Sequence, residues 1–165
     1  MTFYDVPIKV TSDPSLNATD LLLERVALAP GHALFSRENP DKSWRNVTSA
    51  EFLEEVKSLA KGLLNAGIKP GDAIAIMSRT RYEWTMIDFA IWFAGAISVP
   101  IYESSAPSQM EWILSDSDAV AFFIEDDEHM ERFNQIKANV PKVKQVWRIE
   151  STDFSDLHKA AEKVG

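Results

Sequence analysis

Between Gly67 and Leu114 the chain reads GIKPGDAIAIMSRTRYEWTMIDFAIWFAGAISVPIYESSAPSQMEWIL. This stretch limits the fold more than any other. It opens on a tight turn, Lys69-Pro70-Gly71-Asp72. The run over 73–77 that follows is short and wholly apolar, as expected of a strand covered on both faces. A helix over 82–94 comes next, apolar on nearly every side through Trp84, Met86, Ile87, Phe89, Ile91, Trp92 and Phe93. Such a helix belongs in an interior. Gly95 ends it and 97–101 is the next strand. Ser108-Gln109-Met110-Glu111 then has the spacing of a capping box opening a short helix.

The same grammar extends both ways. A first helix over 18–29 is capped by Asn17 or Thr19, with Leu22, Val26 and Ala29 on one face. Two short strands, 33–37 and 43–47, flank a turn at Asn39-Pro40-Asp41. Thr48-Ser49-Ala50-Glu51 is a capping box whose helix repeats Phe52, Val56, Leu59, Leu63 and Ala66, and Gly67 stops it. Beyond residue 119 the pattern gives a strand (120–124), a helix (127–139), a strand (144–149) and a last helix (154–164). Strand and helix alternate from residue 73 onward, which predicts an open, mostly parallel α/β sheet with flanking helices and right-handed crossovers. The expected organisation is an extended arm over 1–17 and one partial α/β domain over 18–165.

Charge and composition remove several function classes. The net charge is −8, which opposes a nucleic-acid surface and any strong pull toward anionic lipid. The absence of cysteine excludes disulfides, thiolate zinc sites and iron–sulfur clusters. The opening residues MTFYDVPIKVTSDPS hold no apolar signal core or basic leader. No apolar run reaches the roughly 18 residues of a membrane span, so a cytoplasmic location is expected.

The residues alone identify no reaction. There is no P-loop and no G-x-G-x-x-G. His32, His129 and His158 are isolated in sequence and read as surface or loop residues rather than metal ligands. Ser104 and Ser105 lie just past a predicted parallel strand, where open α/β sheets bind ligands, yet a polar loop capping the next helix explains them as well. The loop Tyr102-Glu103-Ser104-Ser105 is a candidate wall of a pocket. Asp88, alone in an apolar helix, is expected to pair with Arg79 or Arg81 or with a backbone amide. Trp84, Trp92 and Trp112 are expected in the core. The acidic run Glu125-Asp126-Asp127-Glu128 reads as a helix start.

Three segments then carry a resemblance: GLLNAGIKPGDAIAIMS (62–78), RYEW (81–84) and FAGAISVPIY (93–102). With WRNVTSAEF (44–52) before them and Q..WIL (109–114) after, they resemble the N-terminal part of adenylate-forming, AMP-binding enzymes, most nearly the long-chain fatty-acid–CoA ligases. The resemblance runs over roughly residues 17–150.

It implies a two-step acid–thiol ligase. A carboxylate attacks the α-phosphate of ATP to give an acyl-adenylate and pyrophosphate, with magnesium neutralising phosphate charge. The thiol of CoA then displaces AMP. The implied partners of the parent enzyme are a long-chain fatty acid, ATP and CoA, without nucleic acid. A homodimer through the arm over 1–17 and peripheral membrane contact of the parent stay open. The family's Ser/Thr/Gly-rich phosphate segment, its later ATP-binding motifs and its C-terminal lysine have no counterpart here. The chain is therefore expected to be a fragment ending before the phosphate loop, inactive alone. No catalytic, cofactor-binding or metal residue is assigned to it, and no cofactor is expected in the fragment itself. A standalone binding or interaction module on the same scaffold, or part of an adenylation enzyme for another carboxylate, are the alternatives.

Overall fold

The computed structural model describes residues 13, 15–39 and 41–160. Most of the arm expected over 1–17 and residues 161–164 of the last expected helix lie outside the described residues. In chain order the elements are α1 (Ala18–Leu28), β1 (Ala33–Glu38), β2 (Trp44–Thr48), α2 (Ser49–Asn65), β3 (Ala73–Met77) and α3 (Tyr82–Phe93). They continue with β4 (Ile97–Ile101), α4 (Pro107–Asp116), β5 (Ala121–Ile124), α5 (Asp127–Asn134), a single 3-10 turn (Lys137–Asn139), β6 (Gln145–Arg148) and α6 (Thr152–Ala160).

Strands β3 to β6 form one sheet in the order β4-β3-β5-β6, every neighbouring pair parallel. The chain leaves β3 for β4 on one side, then returns across β3 to place β5 on the other. That reversal is a topological switch point, and α/β sheets bind ligands outside the carboxyl ends of the strands at such a point.

Side chains alternate across the sheet with a period of two. Ile74, Ile76, Ala121 and Phe123 face a layer built from α1, α2, α3 and α6. Ala75, Met77, Phe122 and Ile124 face a second layer that includes Met110, Leu114 and Phe133 of α4 and α5. Strands β3 and β5 are buried at every position, as their unbroken apolar runs require. Each fully buried Ile or Phe contributes about 1.5–3 kcal/mol, so these two strands add substantially to a core that α2 and α3 share through Phe52, Leu59, Leu63, Ile87 and Ile91.

The antiparallel hairpin β1–β2 stands apart from the sheet. Aromatic contacts dock it on the helices: the Phe35 ring lies 4.9 Å from Phe52 and 5.3 Å from Tyr82, and Phe52 lies 5.6 Å from Phe89.

Helix starts follow the sequence with two corrections. Helix α6 begins at Thr152 and not at 154. Thr48 and Glu51 form the expected capping box on α2, and Asn17 caps α1. Helix α4, however, begins at Pro107, not at Ser108. Proline suits the first helical position because its missing N–H is an orphan donor there anyway. The Gln109 side chain turns back to accept the Ala106 N–H at 2.9 Å.

Strand β4 lies at one margin of the sheet and carries Pro100. No helix among the described residues is long and apolar enough to cross a membrane.

Candidate functional site

The switch point places three loops together at the carboxyl ends of the strands. Ser78 to Arg81 leave β3, Glu125 and Asp126 leave β5, and Ile149 and Glu150 leave β6. Backbone bonds fix the rim: Glu125 donates to the Met77 carbonyl at 3.0 Å, and Glu150 donates to the Glu125 carbonyl at 2.9 Å.

Glu125 is the centre of the rim, 2% exposed. Its carboxylate accepts the Arg79 backbone N–H at 2.8 Å and pairs with the Arg79 Nε at 2.7 Å and the Arg81 Nη1 at 3.3 Å. Arg81 also donates to Glu150 at 2.6 Å and, through Nε, to Glu83 at 2.8 Å. Glu83 in turn holds Arg37 of β1 at 2.5 Å, and the Arg37 guanidinium lies 4.0 Å over the Tyr82 ring. The Tyr82 hydroxyl donates to Glu55 of α2 at 2.9 Å.

Burial opposes the Arg81 charge, but hydrogen bonds to Glu83 and Glu150 outweigh it and hold its pKa above the ordinary value. Burial likewise opposes the Glu83 charge and the Arg81 hydrogen bond prevails, so its pKa is lowered. Burial and the Glu55 carboxylate push the Tyr82 phenol well up, which keeps it neutral.

This network is compensated charge for charge: Arg37, Arg79 and Arg81 against Glu83, Glu125 and Glu150. A phosphate arriving here would meet arginines already engaged by carboxylates. No group of three or more His, Asp or Glu among the described residues could hold a metal ion. The described residues therefore do not fit a triphosphate–magnesium site. The cluster clamps the β3–α3 loop to β5 and β6, and reaches through Glu83 to the hairpin.

The loop after β4 behaves as the sequence suggests only in part. Tyr102 and Ser105, with Ser108, Gln109, Trp112 and Ile113 of α4, line a cavity of about 390 Å³. Neither Ser104 nor Ser105 hydrogen-bonds a histidine or carboxylate among the described residues, so no nucleophile–base pair exists there. Arg132 of α5 anchors this loop by donating to the Glu103 carbonyl at 2.7 Å.

Several further expectations change. Asp88 is not paired with Arg79 or Arg81, which are committed to the rim. It is buried on α3, and burial pushes its carboxyl above the ordinary range. The Ser98 hydroxyl opposes that shift from close by, yet its Oγ has no partner in hydrogen-bond geometry. Trp112 is 67% exposed, because Met110 and Leu114 form the buried stripe of α4. Trp84 and Trp92 are half-buried at the periphery of the core.

His129 is buried, not a surface residue. Asp126, the α5 cap, accepts its backbone N–H at 3.0 Å and contacts its Nδ1 at 2.7 Å, while its Nε2 is buried without a partner. His158 is half-buried with its ring 5.1 Å from Phe154. Of the acidic run, Asp126, Asp127 and Glu128 open the helix as expected, whereas Glu125 belongs to the rim.

With this geometry in place, the AMP-binding enzyme family matches the chain over residues 23–164. The chain belongs to the AMP-binding enzymes. Among its relatives is the long-chain-fatty-acid–CoA ligase FadD15 of Mycobacterium bovis, 35% identical over 157 residues, which cover 95% of this chain and 26% of that protein. The 3-oxocholest-4-en-26-oate–CoA ligase of Rhodococcus rhodochrous is 32% identical over 146 residues, covering 84% of this chain and 23% of that one. In fold the chain is similar to the crystal structure of a long-chain-fatty-acid–CoA ligase (FadD1) from Archaeoglobus fulgidus, with TM-score 0.80 and 20% identity over 95% of this chain and 32% of that chain. The chain thus spans about a quarter of the length of the curated relatives it matches.

Proposed function

We propose that this chain is the N-terminal part of an ATP-dependent long-chain fatty acid–CoA ligase that works in the cytoplasm. The observation that carries this reading is 35% identity across 95% of the chain to a ligase of that class. In the proposed reaction a carboxylate oxygen of the fatty acid attacks the α-phosphorus of ATP and pyrophosphate leaves. The CoA sulfur then attacks the acyl carbonyl carbon, its proton is lost, and AMP leaves. Long-chain fatty acid, ATP and CoA are the substrates of the whole enzyme, and magnesium its metal.

The part played by these residues is scaffolding. The domain over 18–165 supplies the sheet and its clamped rim, with an arm over 1–17 ahead of it. No residue in it is assigned to catalysis, cofactor or metal, and by itself it does not turn over.

ATP–pyrophosphate exchange with palmitate tests this. The 165-residue chain should give no exchange, and a polypeptide extended to the relatives' length should exchange and form palmitoyl-CoA. Exchange by the chain alone would overturn the scaffold assignment. An extended polypeptide that accepts only a sterol acid or an amino acid would overturn the substrate class.

A further inference from the structure

Strand β4 closes one side of the sheet. It pairs with β3 alone, and its other margin meets no strand among the described residues. Ile97 donates its N–H inward to the Asp72 carbonyl at 2.8 Å, so Ser98 and Pro100 turn their backbone groups outward. The start of α1 lies at the foot of that margin: Asn17, Ala18 and Thr19 share a cavity of about 420 Å³ with Trp92, Gly95 and Ala96. Just ahead, the Leu16 N–H bonds the Asp13 carbonyl at 3.2 Å and the Asp13 carboxylate accepts the Ser15 N–H at 2.9 Å, a turn that reverses the chain. Residues 1–12 thus join the fold beside the amino end of β4. Extended, they reach roughly 40 Å, and the five residues of β4 span roughly 16 Å.

Their sequence suits that place. Tyr4, Val6, Ile8 and Val10 alternate with Asp5, Pro7 and Lys9, the period of a strand with one apolar face. Pro7 has no N–H, so it belongs where a strand's backbone faces away from its neighbour. That turns the N–H groups of Val6 and Ile8 toward the sheet. The same parity sets the apolar side chains on the face of Ile74 and Ile76, the partners of Ser98 and Pro100, which is the face that α3 covers. Backbone and side chains therefore select the same residues, and a shift by one would fail on both counts. We propose that residues 4–10 add to β4 as a fifth, antiparallel strand, with Ile8 opposite Ser98 and Val6 opposite Pro100.

Val10 then falls beside Ala96, three residues short of the turn at Asp13. An antiparallel strand at the margin of a parallel sheet is a common arrangement. A second copy, or a later segment of a longer polypeptide, must first displace a strand tethered at the foot of the margin, where its effective concentration is in roughly the millimolar range. The inference needs no ligase activity and stands apart from the reading above.

Amide hydrogen exchange of the whole chain, read residue by residue by nuclear magnetic resonance, tests it. The Ser98 N–H should be protected in the wild type. Pro7 and Val99, opposite each other without hydrogen bonds, should show a close Hα–Hα Overhauser contact. Ile8→Pro removes the N–H that faces Ser98 and should speed exchange of the Ser98 N–H about tenfold or more. Lys9→Pro removes an N–H that faces away and should leave that rate within about twofold. Both sites precede the packed domain, so the amides of β3 and β5 should keep wild-type protection in each variant.

Fast exchange of Ser98 in the wild type would overturn the proposal. So would equal rates in the two variants. Protection that grows with protein concentration would assign the margin to a second copy, and protection that survives Ile8→Pro would assign it to another segment; either result overturns the pairing.

Discussion

Glu125→Ala is the sharpest probe of the rim. The lost carboxylate is 2% exposed and accepts three bonds: from the Arg79 N–H at 2.8 Å, the Arg79 Nε at 2.7 Å and the Arg81 Nη1 at 3.3 Å. These bonds do not count equally. The backbone N–H loses a charged acceptor in a buried place, at about 1.5–3 kcal/mol. The Arg79 side chain is 65% exposed and reverts to water, so its share falls in the surface range of about 0–1 kcal/mol. Arg81 keeps Glu83 and Glu150. The total is about 1.5–4 kcal/mol.

Glu150→Ala removes pairs of 2.6 and 3.2 Å from a carboxylate that is 40% exposed, and should cost about 1 kcal/mol or less. Thermal unfolding followed by far-ultraviolet circular dichroism should therefore lower the Tm of Glu125→Ala by roughly 5–15 °C, at least twice the effect of Glu150→Ala. Equal and small shifts for the two variants would refute the claim that burial, not ion-pair distance, sets the strength of this cluster.

Other outcomes follow from single contacts. A Cβ at Gly62 would overlap the Leu157 carbonyl of α6. Gly62→Ala should therefore strip hydrogen-exchange protection from α6 while sparing β3 and β5, despite alanine's better helix propensity. Asp88 has a folded pKa above its ordinary 3.8, so the folded state binds the proton more tightly and stability falls as pH rises through the folded value. Asp88→Asn should consequently stabilise the domain at neutral pH, and the gain should vanish in titrations below about pH 4. His158 runs the other way. Burial lowers its pKa from 6.5, with Glu55 opposing, so its contribution is complete above 6.5 and is lost as pH falls through the folded value. His158→Gln should flatten the stability profile just below pH 6.5 in urea melts.

Local signals carry far in this chain. Strand β3 is bounded where Pro70-Gly71 and the polar Ser78-Arg79 bracket its apolar run, and the Thr48–Glu51 pair marks the start of α2. What local pattern does not show is which distant groups meet. Glu125 lies 46 residues from Arg79, and only the return of the chain across β3 brings them together. The acidic run thus looks uniform in sequence, although Glu125 is buried, Asp126 is half-buried against His129, and Asp127 and Glu128 are exposed. Trp112 misleads for another reason: side-chain size suggests the core, while the i, i+4 spacing of Met110 and Leu114 already sets the buried stripe. Pro107 signals the true start of α4. The one sequence clue to His129 is Asp126 three residues before it, the spacing of a cap and its acceptor.

Pro100 has a consequence for anything that would continue the sheet. In the β3–β4 ladder Ile97 donates inward to the Asp72 carbonyl, so by alternation the backbone of Ser98 and Pro100 faces outward. Proline has no hydrogen to offer. Across β4 that margin thus offers two acceptors, the Ser98 and Pro100 carbonyls, and one donor, the Ser98 N–H, so an added strand must bring more N–H groups than it receives. The asymmetry favours one register over its one-residue slip and discourages two identical margins from zipping together.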